Sequence, residues 1–354
     1  MVCLMRALVL HGARDIRIEE RPVPVPGPNQ LVVKINYSGV CGSDIEFYVG
    51  HIPPFLRTPV ILGHENAGTV TAVGEGVANF NVGDRLICGP PDFCVEQCPS
   101  CKEGRTNICL EAFPGRTAGF SYLDGGYAEY MLINDVAHTT LVKVPDNVDL
   151  KDAVLFDVIC VAVHAVRLSR FRLGDNVVIS GAGSVGLSVI QFLKAAGANK
   201  IIVLDVNEAN RDIIKQYGGD YFVNPSRCES LSEEIKSIVG TGVGADVVFE
   251  CAGVPVSHLN CIECVKPGGQ VVCVGSINVP IELVSGVFST REPDFQYSFA
   301  YTRKDVSIFM DMLAAEKVSF PGMVTGIFSM EDVASKYMDT DRKGHIKGLL
   351  DPSL

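Results

Sequence analysis

The segment 177–205 constrains this chain more than any other. Val177, Val178 and Ile179 form an apolar run suited to a buried parallel strand. Gly181, Gly183 and Gly186 follow in G-x-G-x-x-G spacing. Val185, Val189, Phe192 and Leu193 then recur near helical spacing until Gly197, and a second apolar run over 201–204 ends on Asp205. Gly181 permits the tight bend, Gly183 lets a pyrophosphate approach the backbone, and Gly186 lets helix and strand pack closely. The helix start at Ser184 and Val185 presents unpaired N–H groups and a partial positive charge to a diphosphate. Asp205 stands where a carboxylate accepts hydrogen bonds from an adenosine ribose and repels a 2′-phosphate, which favours NAD over NADP. Strand, glycine turn, helix, strand and terminal acid together define a dinucleotide site.

A chain of 354 residues suggests two domains. Its net charge of -11 and its lack of a long Lys/Arg run argue against nucleic acid or an anionic membrane as partner, since both need a basic footprint. No apolar run approaches the roughly 20 residues that span a bilayer. Residues 1–10 are apolar but short and carry no cleavage pattern, so they read as a first β-strand and the chain as cytoplasmic. Its 13 cysteines are therefore read first as metal ligands, not as disulfides.

From residue 5 to about 130 short strands and turns dominate, with strands expected at 31–35, 68–73, 85–88 and 128–133. From about residue 150 the rhythm changes. Residues 151–168 read as one helix, and strands at 177–180, 201–205, 221–224, 246–251 and 270–275 alternate with helices at 207–217, 231–239 and 256–265. Pro267-Gly268-Gly269 stops the last of these. An edge strand at 295–299, a helix at 304–315 and a Ser329-x-x-Asp332 capping box follow. The alternation predicts a doubly wound parallel sheet after a mostly β domain.

Cys94, Cys98, Cys101 and Cys109 are spaced C-x3-C-x2-C-x7-C. Four thiolates this close suit a closed, tetrahedral structural zinc site. Cys41 lies in Cys41-Gly42-Ser43-Asp44, and His64 in Gly63-His64-Glu65-Asn66-Ala67-Gly68. Thiolate, imidazole and carboxylate are the ligand types of a catalytic zinc that keeps one position for water or substrate.

In this order, and over essentially the whole chain, these motifs resemble the zinc-dependent medium-chain alcohol/polyol dehydrogenase family. The family's zinc signature, G-H-E-x2-G-x5-G-x2-V, is met by Gly63-His64-Glu65, Gly68, Gly74 and Val77, followed by Gly83-Asp84-Arg85. Leu155-Phe156-Asp157, leading to Val161-Ala162-Val163-His164-Ala165, is most similar to the sorbitol, butanediol and threonine dehydrogenase branch. The resemblance implies an α/β fold, a Rossmann doubly wound parallel sheet plus a mostly β, GroES-like catalytic domain. Residues 1–155 and 290–354 would form the zinc-binding catalytic domain and 156–289 the dinucleotide-binding one.

The resemblance also implies one catalytic and one structural zinc per chain, with NAD as coenzyme. Cys41 and His64 bind the catalytic zinc, and Glu65 is either a third ligand or a carboxylate behind it. Asp157 either enters the metal shell as water or substrate exchanges or caps a helix. Asp44 orients His64. Ser43 passes the substrate proton outward. The next relay position, often His in the family, is Glu46 here, so the proton leaves through Glu46, nearby His51 or water. The first gap of the cysteine loop is one residue longer than the usual C-x2-C, which makes Cys88 and Asp92 alternatives to Cys94.

Zinc would act as Lewis acid on the substrate hydroxyl while hydride passes to the nicotinamide. The expected reaction is oxidation of a secondary alcohol (polyol, cyclitol, diol or hydroxy-amino acid) or reduction of the matching ketone, by a homo-oligomer, dimer or tetramer. Two alternatives stand beside it: a zinc-family reductase of an activated C=C or C=O bond, and an NAD-binding protein without turnover. Phe47, Tyr48, Phe113 and Phe295 are pocket candidates. His258 is expected on the surface or in a loop, and Cys160, Cys251, Cys261, Cys264 and Cys273 as buried, inert fillers.

Overall fold

The computed structural model describes residues 3–53, 56–90, 92–95, 97–111, 117–338 and 346–354, with Val287 by its backbone only; Phe113 lies outside the described residues. The chain runs through β1 (Leu4–Gly12), β2 (Asp15–Pro22), β3 (Leu31–Val40), α1 (Gly42–Val49), β4 (Val60–Ile61), β5 (Glu65–Val73), β6 (Arg85–Gly89), α2 (Pro99–Lys102), β7 (Tyr130–Ile133), β8 (Thr140–Lys143), α3 (Leu150–Ala153) and α4 (Phe156–Leu168). Strands and helices then alternate: β9 (Asn176–Ser180), α5 (Ser184–Ala195), β10 (Lys200–Leu204), α6 (Arg211–Tyr217), β11 (Tyr221–Val223), α7 (Leu231–Val239), β12 (Ala245–Glu250), α8 (Pro255–Cys264), β13 (Val265–Cys273), α9 (Ser285–Arg291) and β14 (Asp294–Tyr297). The chain closes with α10 (Arg303–Ala314), β15 (Val324–Phe328), α11 (Met330–Asp332) and β16 (Lys347–Leu350).

Two compact units result, one of Met1–Asp157, Tyr301–Ala314 and Pro321–Leu354, the other of Val158–Ala300 and Ala315–Phe320. The first is β-rich. A three-stranded sheet has the order β2-β1-β4, and a seven-stranded sheet runs β15-β16-β3-β5-β6-β8 with β7 also on β3. Leu31, Val33 and Ile35 of β3 enter one core with Val70, Leu86 and Met131. Val40 enters another with Leu8, Leu10, Tyr127 and Leu350. The change of face follows a register shift between Ile35 and Tyr37, since one extra residue inverts the alternation of side chains along a strand.

The second unit holds one six-stranded sheet, β11-β10-β9-β12-β13-β14, with every neighbouring pair parallel. Val178 pairs in register with Ile202 on one side and Val248 on the other, and Val248 pairs with Val271. These four form a layer that packs on Leu231, Ile235 and Val239 of α7 and Cys261 and Cys264 of α8. Strand order reverses at β9, the first strand, which is the switch point of a doubly wound fold.

The structure departs from the sequence expectation at three places. The helix over 151–168 is two, α3 and α4, with fully buried Val154 and Leu155 at the break; packing sets it, not a Gly or Pro. Pro267-Gly268-Gly269 lies within the long strand β13 and does not precede it. The expected domain bounds shift as well: residues 156–157 stay in the first unit, 315–320 fall in the second, and 290–300 join the second because β14 pairs in parallel with β13, Val271 against Phe295 and Cys273 against Tyr297. No helix among the described residues is long and apolar enough to cross a membrane.

Candidate active site

Cys41 directly follows β3 and caps α1, His64 directly precedes β5, and Glu65 opens that strand. The antiparallel register Gly39 to Glu65 and Ser38 to Asn66 brings the ends of β3 and β5 together. Asp157 enters from the first turn of α4. Donor atoms of Cys41, His64, Glu65 and Asp157 all lie within 4.8 Å of one another. His64 is 3 % exposed and Glu65 0 %.

Buried groups behind this set orient it. Asp44 Oδ1 lies 3.5 Å from His64 Nδ1, which leaves Nε2 as the ring nitrogen turned elsewhere. Asp44 Oδ2 accepts from the Cys41 N–H at 2.9 Å and from Tyr127 Oη at 2.8 Å. On the far side of β3, β16 pairs Leu349 with Gly39. Lys347 Nζ donates to Glu65 Oε1 at 2.6 Å and also contacts Oε2. Gly39 makes this crossing feasible: a Cβ there would lie 2.0 Å from Glu65 Oε2. Tyr301 Oη donates to Asp157 Oδ1 at 2.5 Å.

The charges in this cluster depend on one another. Asp157 is pushed up to about 7, by burial first and then by the negative charge of Glu65. Asp44 is held below the ordinary carboxylate value: burial would raise it, but the charge and hydrogen bond of His64, with Tyr127 and the Cys41 N–H, outweigh that. His64 is raised well above the usual imidazole value, because the Asp44 charge overcomes the opposing effect of burial. Burial likewise opposes the charge on Lys347, and Glu65 more than restores it. Two cations, His64 and Lys347, thus face the carboxyls of Asp44, Glu65 and Asp157, with the Cys41 thiol beside them. Sulfur, imidazole nitrogen and carboxylate oxygen, converging within 4.8 Å, form the donor set that zinc accepts. Ser43 Oγ, two residues after Cys41 in α1, is buried without a hydrogen-bond partner among the described residues.

The four loop cysteines also converge. Cys94, Cys98, Cys101 and Cys109 are buried, with sulfurs within 4.8 Å of one another. Cys94 Sγ accepts from the Cys98 N–H at 3.1 Å, and Cys98 Sγ from the Cys101 N–H at 3.5 Å. The N–H groups of Cys101 and Leu110 hold the Cys98 thiol down at about 6, whereas burial pushes Cys101 up to about 12. The longer first gap is accommodated by Val95, whose φ is 49°, so Cys94 stays in the group. Neither Cys88, buried in β6, nor Asp92 belongs to it. Arg303 lies over the Phe93 ring at 4.4 Å and anchors the loop.

In the second unit Gly181 has φ 102°, a conformation that favours glycine, and a Cβ at Gly186 would lie 1.9 Å from the Gly181 carbonyl oxygen. Space around Gly183, the cap of α5, is open, as backbone contact with a diphosphate requires. Ser184, Val185 and Gly186 form the first turn of α5. Asp205 Oδ2 accepts from the Ala182 N–H at 2.7 Å, tying the acid to the glycine turn.

Sequence reasoning missed Lys347, Tyr127 and Tyr301, and also Glu250. Oε1 of this fully buried residue accepts from Ser257 Oγ at 2.6 Å and from the N–H groups of Ala252 and Gly253 at 3.0 and 2.9 Å. Lys347 left one sequence signal, a lone ammonium inside the apolar run 346–350. His258, expected in a loop or on the surface, is 2 % exposed on α8.

A metal-type donor set in a β-rich unit, together with a glycine turn in a doubly wound unit, defines the class of zinc-binding, nicotinamide-linked dehydrogenases. Residues 27–146 match the family described as alcohol dehydrogenase GroES-like domain, and residues 184–315 match zinc-binding dehydrogenase. D-xylulose reductase A of Aspergillus oryzae is 30% identical over 350 residues, spanning 97% of this chain and 96% of that one. Among solved structures, 2R,3R-butanediol dehydrogenase from Bacillus subtilis is 29% identical with a TM-score of 0.88, covering 98% of this chain and 99% of that one. A zinc-binding dehydrogenase from Sinorhizobium meliloti 1021, solved bound to NADP, is also 29% identical with a TM-score of 0.88, covering 99% of this chain and 100% of that one. The chain belongs to the zinc-dependent medium-chain alcohol/polyol dehydrogenase family.

Proposed function

We propose that this chain oxidises a polyol or related secondary alcohol, and reduces the matching ketone, with NAD as coenzyme and two zinc ions per chain. The observation that carries this reading is the convergence of Cys41, His64, Glu65 and Asp157 on one buried point. Cys41, His64 and either or both carboxylates would hold the catalytic ion, and Cys94, Cys98, Cys101 and Cys109 the structural one. When bound, zinc supplies Lewis acidity that lowers the pKa of a substrate hydroxyl, and the nicotinamide accepts the hydride. Ser43 Oγ, which has no hydrogen-bond partner among the described residues, would accept the hydroxyl proton as it gives up its own. That proton would leave through water or through the exposed pair Glu46 and His51, whose Oε2 and Nδ1 lie 2.5 Å apart.

Gly181, Gly183, Ser184, Val185 and Gly186 would cradle the diphosphate and Asp205 the adenosine ribose, which makes the unit 158–300 the dinucleotide domain and the β-rich unit the catalytic one. Coenzyme choice rests on Asp205, whose carboxylate disfavours a 2′-phosphate. The open edge of β14, with exposed Tyr297 and Phe299, suits pairing between copies into a dimer or tetramer. We place the protein in the cytoplasm, where four clustered thiols stay reduced and free to hold a metal.

Zinc content per chain, measured with polyol oxidation on wild type and Cys41→Ser, tests the reading. Two ions falling to one, with turnover lost, is the expected result. One ion in both proteins, with turnover unchanged, overturns it. Ser43→Ala should keep both ions and lower kcat by about 10²–10⁴-fold.

A further inference from the structure

Asp205 is not the only acid at the end of β10. Glu208, half-buried, bridges two arginines: Oε2 lies 2.9 Å from Arg211 Nη2 and Oε1 lies 3.4 Å from Arg227 Nη1. Asn224 Nδ2 donates both to Glu208 Oε1 at 3.0 Å and to the Val206 carbonyl at 3.3 Å, fixing the carboxylate beside the backbone that follows Asp205. Asp205 itself accepts from the Asn207 N–H at 2.8 Å, and its own N–H donates to the Val223 carbonyl at 3.2 Å. The Arg211 guanidinium is held further by the Phe222 ring, 4.2 Å away. A cavity of about 810 Å³ opens here, and its walls carry four carboxylates, Glu208, Glu229, Glu233 and Glu234, against the two guanidiniums of Arg211 and Arg227.

We infer that Glu208 is a second coenzyme-selecting residue, which engages Arg211 and Arg227 and so withholds them from a ribose 2′-phosphate. The inference rests on the NAD reading of Asp205 and extends it. A phosphate monoester carries about −1.5 to −2 charges at pH 7, and guanidinium forks are its natural partners. Asn224 holds Glu208 beside the backbone that follows the ribose acid, and Glu208 engages both forks in a cavity that three further carboxylates, Glu229, Glu233 and Glu234, also line. The Asn224 hydrogen bond and then Arg211 hold the Glu208 carboxyl below its ordinary value, so it stays ionised at neutral pH. An incoming 2′-phosphate therefore meets two carboxylates and no available cation among these residues. Asp205 repels the wrong coenzyme, and Glu208 removes what would attract it.

Two probes isolate this effect in the full-length protein: adenosine 5′-phosphate and adenosine 2′,5′-bisphosphate, which differ only by the 2′-phosphate. Calorimetric titration gives the ratio of their Kd values. Wild type should favour the 5′-phosphate. Glu208→Gln should move the ratio toward the bisphosphate by on the order of tenfold, a gain that shrinks at high salt. Adding Arg211→Gln to that variant should return most of it. Glu208→Ser, titrated in the same way, guards against a folding defect in the first variant. A ratio unchanged from wild type in both Glu208 variants overturns the inference and leaves discrimination to Asp205. A wild type that already prefers the bisphosphate overturns the NAD reading itself, before any variant is made.

Discussion

Lys347 and Glu65 form a buried ion pair within the Cys41–His64 cluster. Both are buried, and their contact crosses β3 over a residue that has no side chain, Gly39. Removing one partner of a buried ion pair leaves the other uncompensated, typically at a loss of about 3–5 kcal/mol. Lys347→Met should therefore lower the denaturation free energy by about that much. Denaturant melts check this; a variant as stable as wild type would show that Glu65 does not need its ammonium. Single residues were legible in the sequence where they sit in short motifs. Cys41, His64 and the four loop cysteines are of this kind, because thiols and imidazoles in short motifs are a signal in themselves, and the structure brings each group together. Lys347, Tyr127 and Tyr301 are not, because their partners are set by strand register and by helix placement. Nothing near Asp44 or Asp157 in the sequence points to the tyrosine that meets it.

At the level of elements, α8 and β13 offer a pH test away from the metal cluster. His258 of α8 stacks on Phe295 with ring centres 5.6 Å apart, and its Nδ1 lies 3.8 Å from Cys273 Sγ. Burial holds its pKa below the ordinary 6.5, with Glu250 opposing. The unfolded chain therefore takes up the proton at a higher pH than the native one. The stability contribution of neutral His258 is complete above pH 6.5 and is lost as pH falls through the native pKa. Thermal melts between about pH 7 and pH 5 should show a steeper acid loss in wild type than in His258→Asn; equal slopes would show that His258 titrates as in the unfolded chain. The parallel sheet itself was legible, since apolar runs, glycine turns and amphipathic helices are local signals. The break between α3 and α4 was not, because Val154 and Leu155 continue the apolar pattern and only packing interrupts it. The strand β14 was visible as an edge, but its membership in the six-stranded sheet depends on pairing with β13.

For the whole molecule, two units with different ligands should respond to different additions. Stripping zinc with a strong chelator should expose the loop 94–111 to hydrogen exchange. NADH at about 100 times its Kd should instead protect residues 176–210, by about 2.7 kcal/mol where opening is global. Exchange mapped peptide by peptide checks both. Chelation that leaves the cysteine loop protected would mean that its four thiols hold together without an ion, which their mutual burial makes unfavourable.

The ion pair at Glu65 has one more consequence, which concerns synthesis. Its two members are 282 positions apart. A ribosome releases Cys41, His64, Glu65 and Asp157 well before the strand that carries Lys347, and domains made N-terminus first fold as their parts emerge. Until β16 docks on β3, the nascent chain has the acids and the thiol but not the ammonium that offsets them. A translation product cut short before residue 347 would carry every candidate ligand of the catalytic metal and still lack the charge balance to bury them. Strand β16 therefore completes a site whose candidate ligands are all made before it.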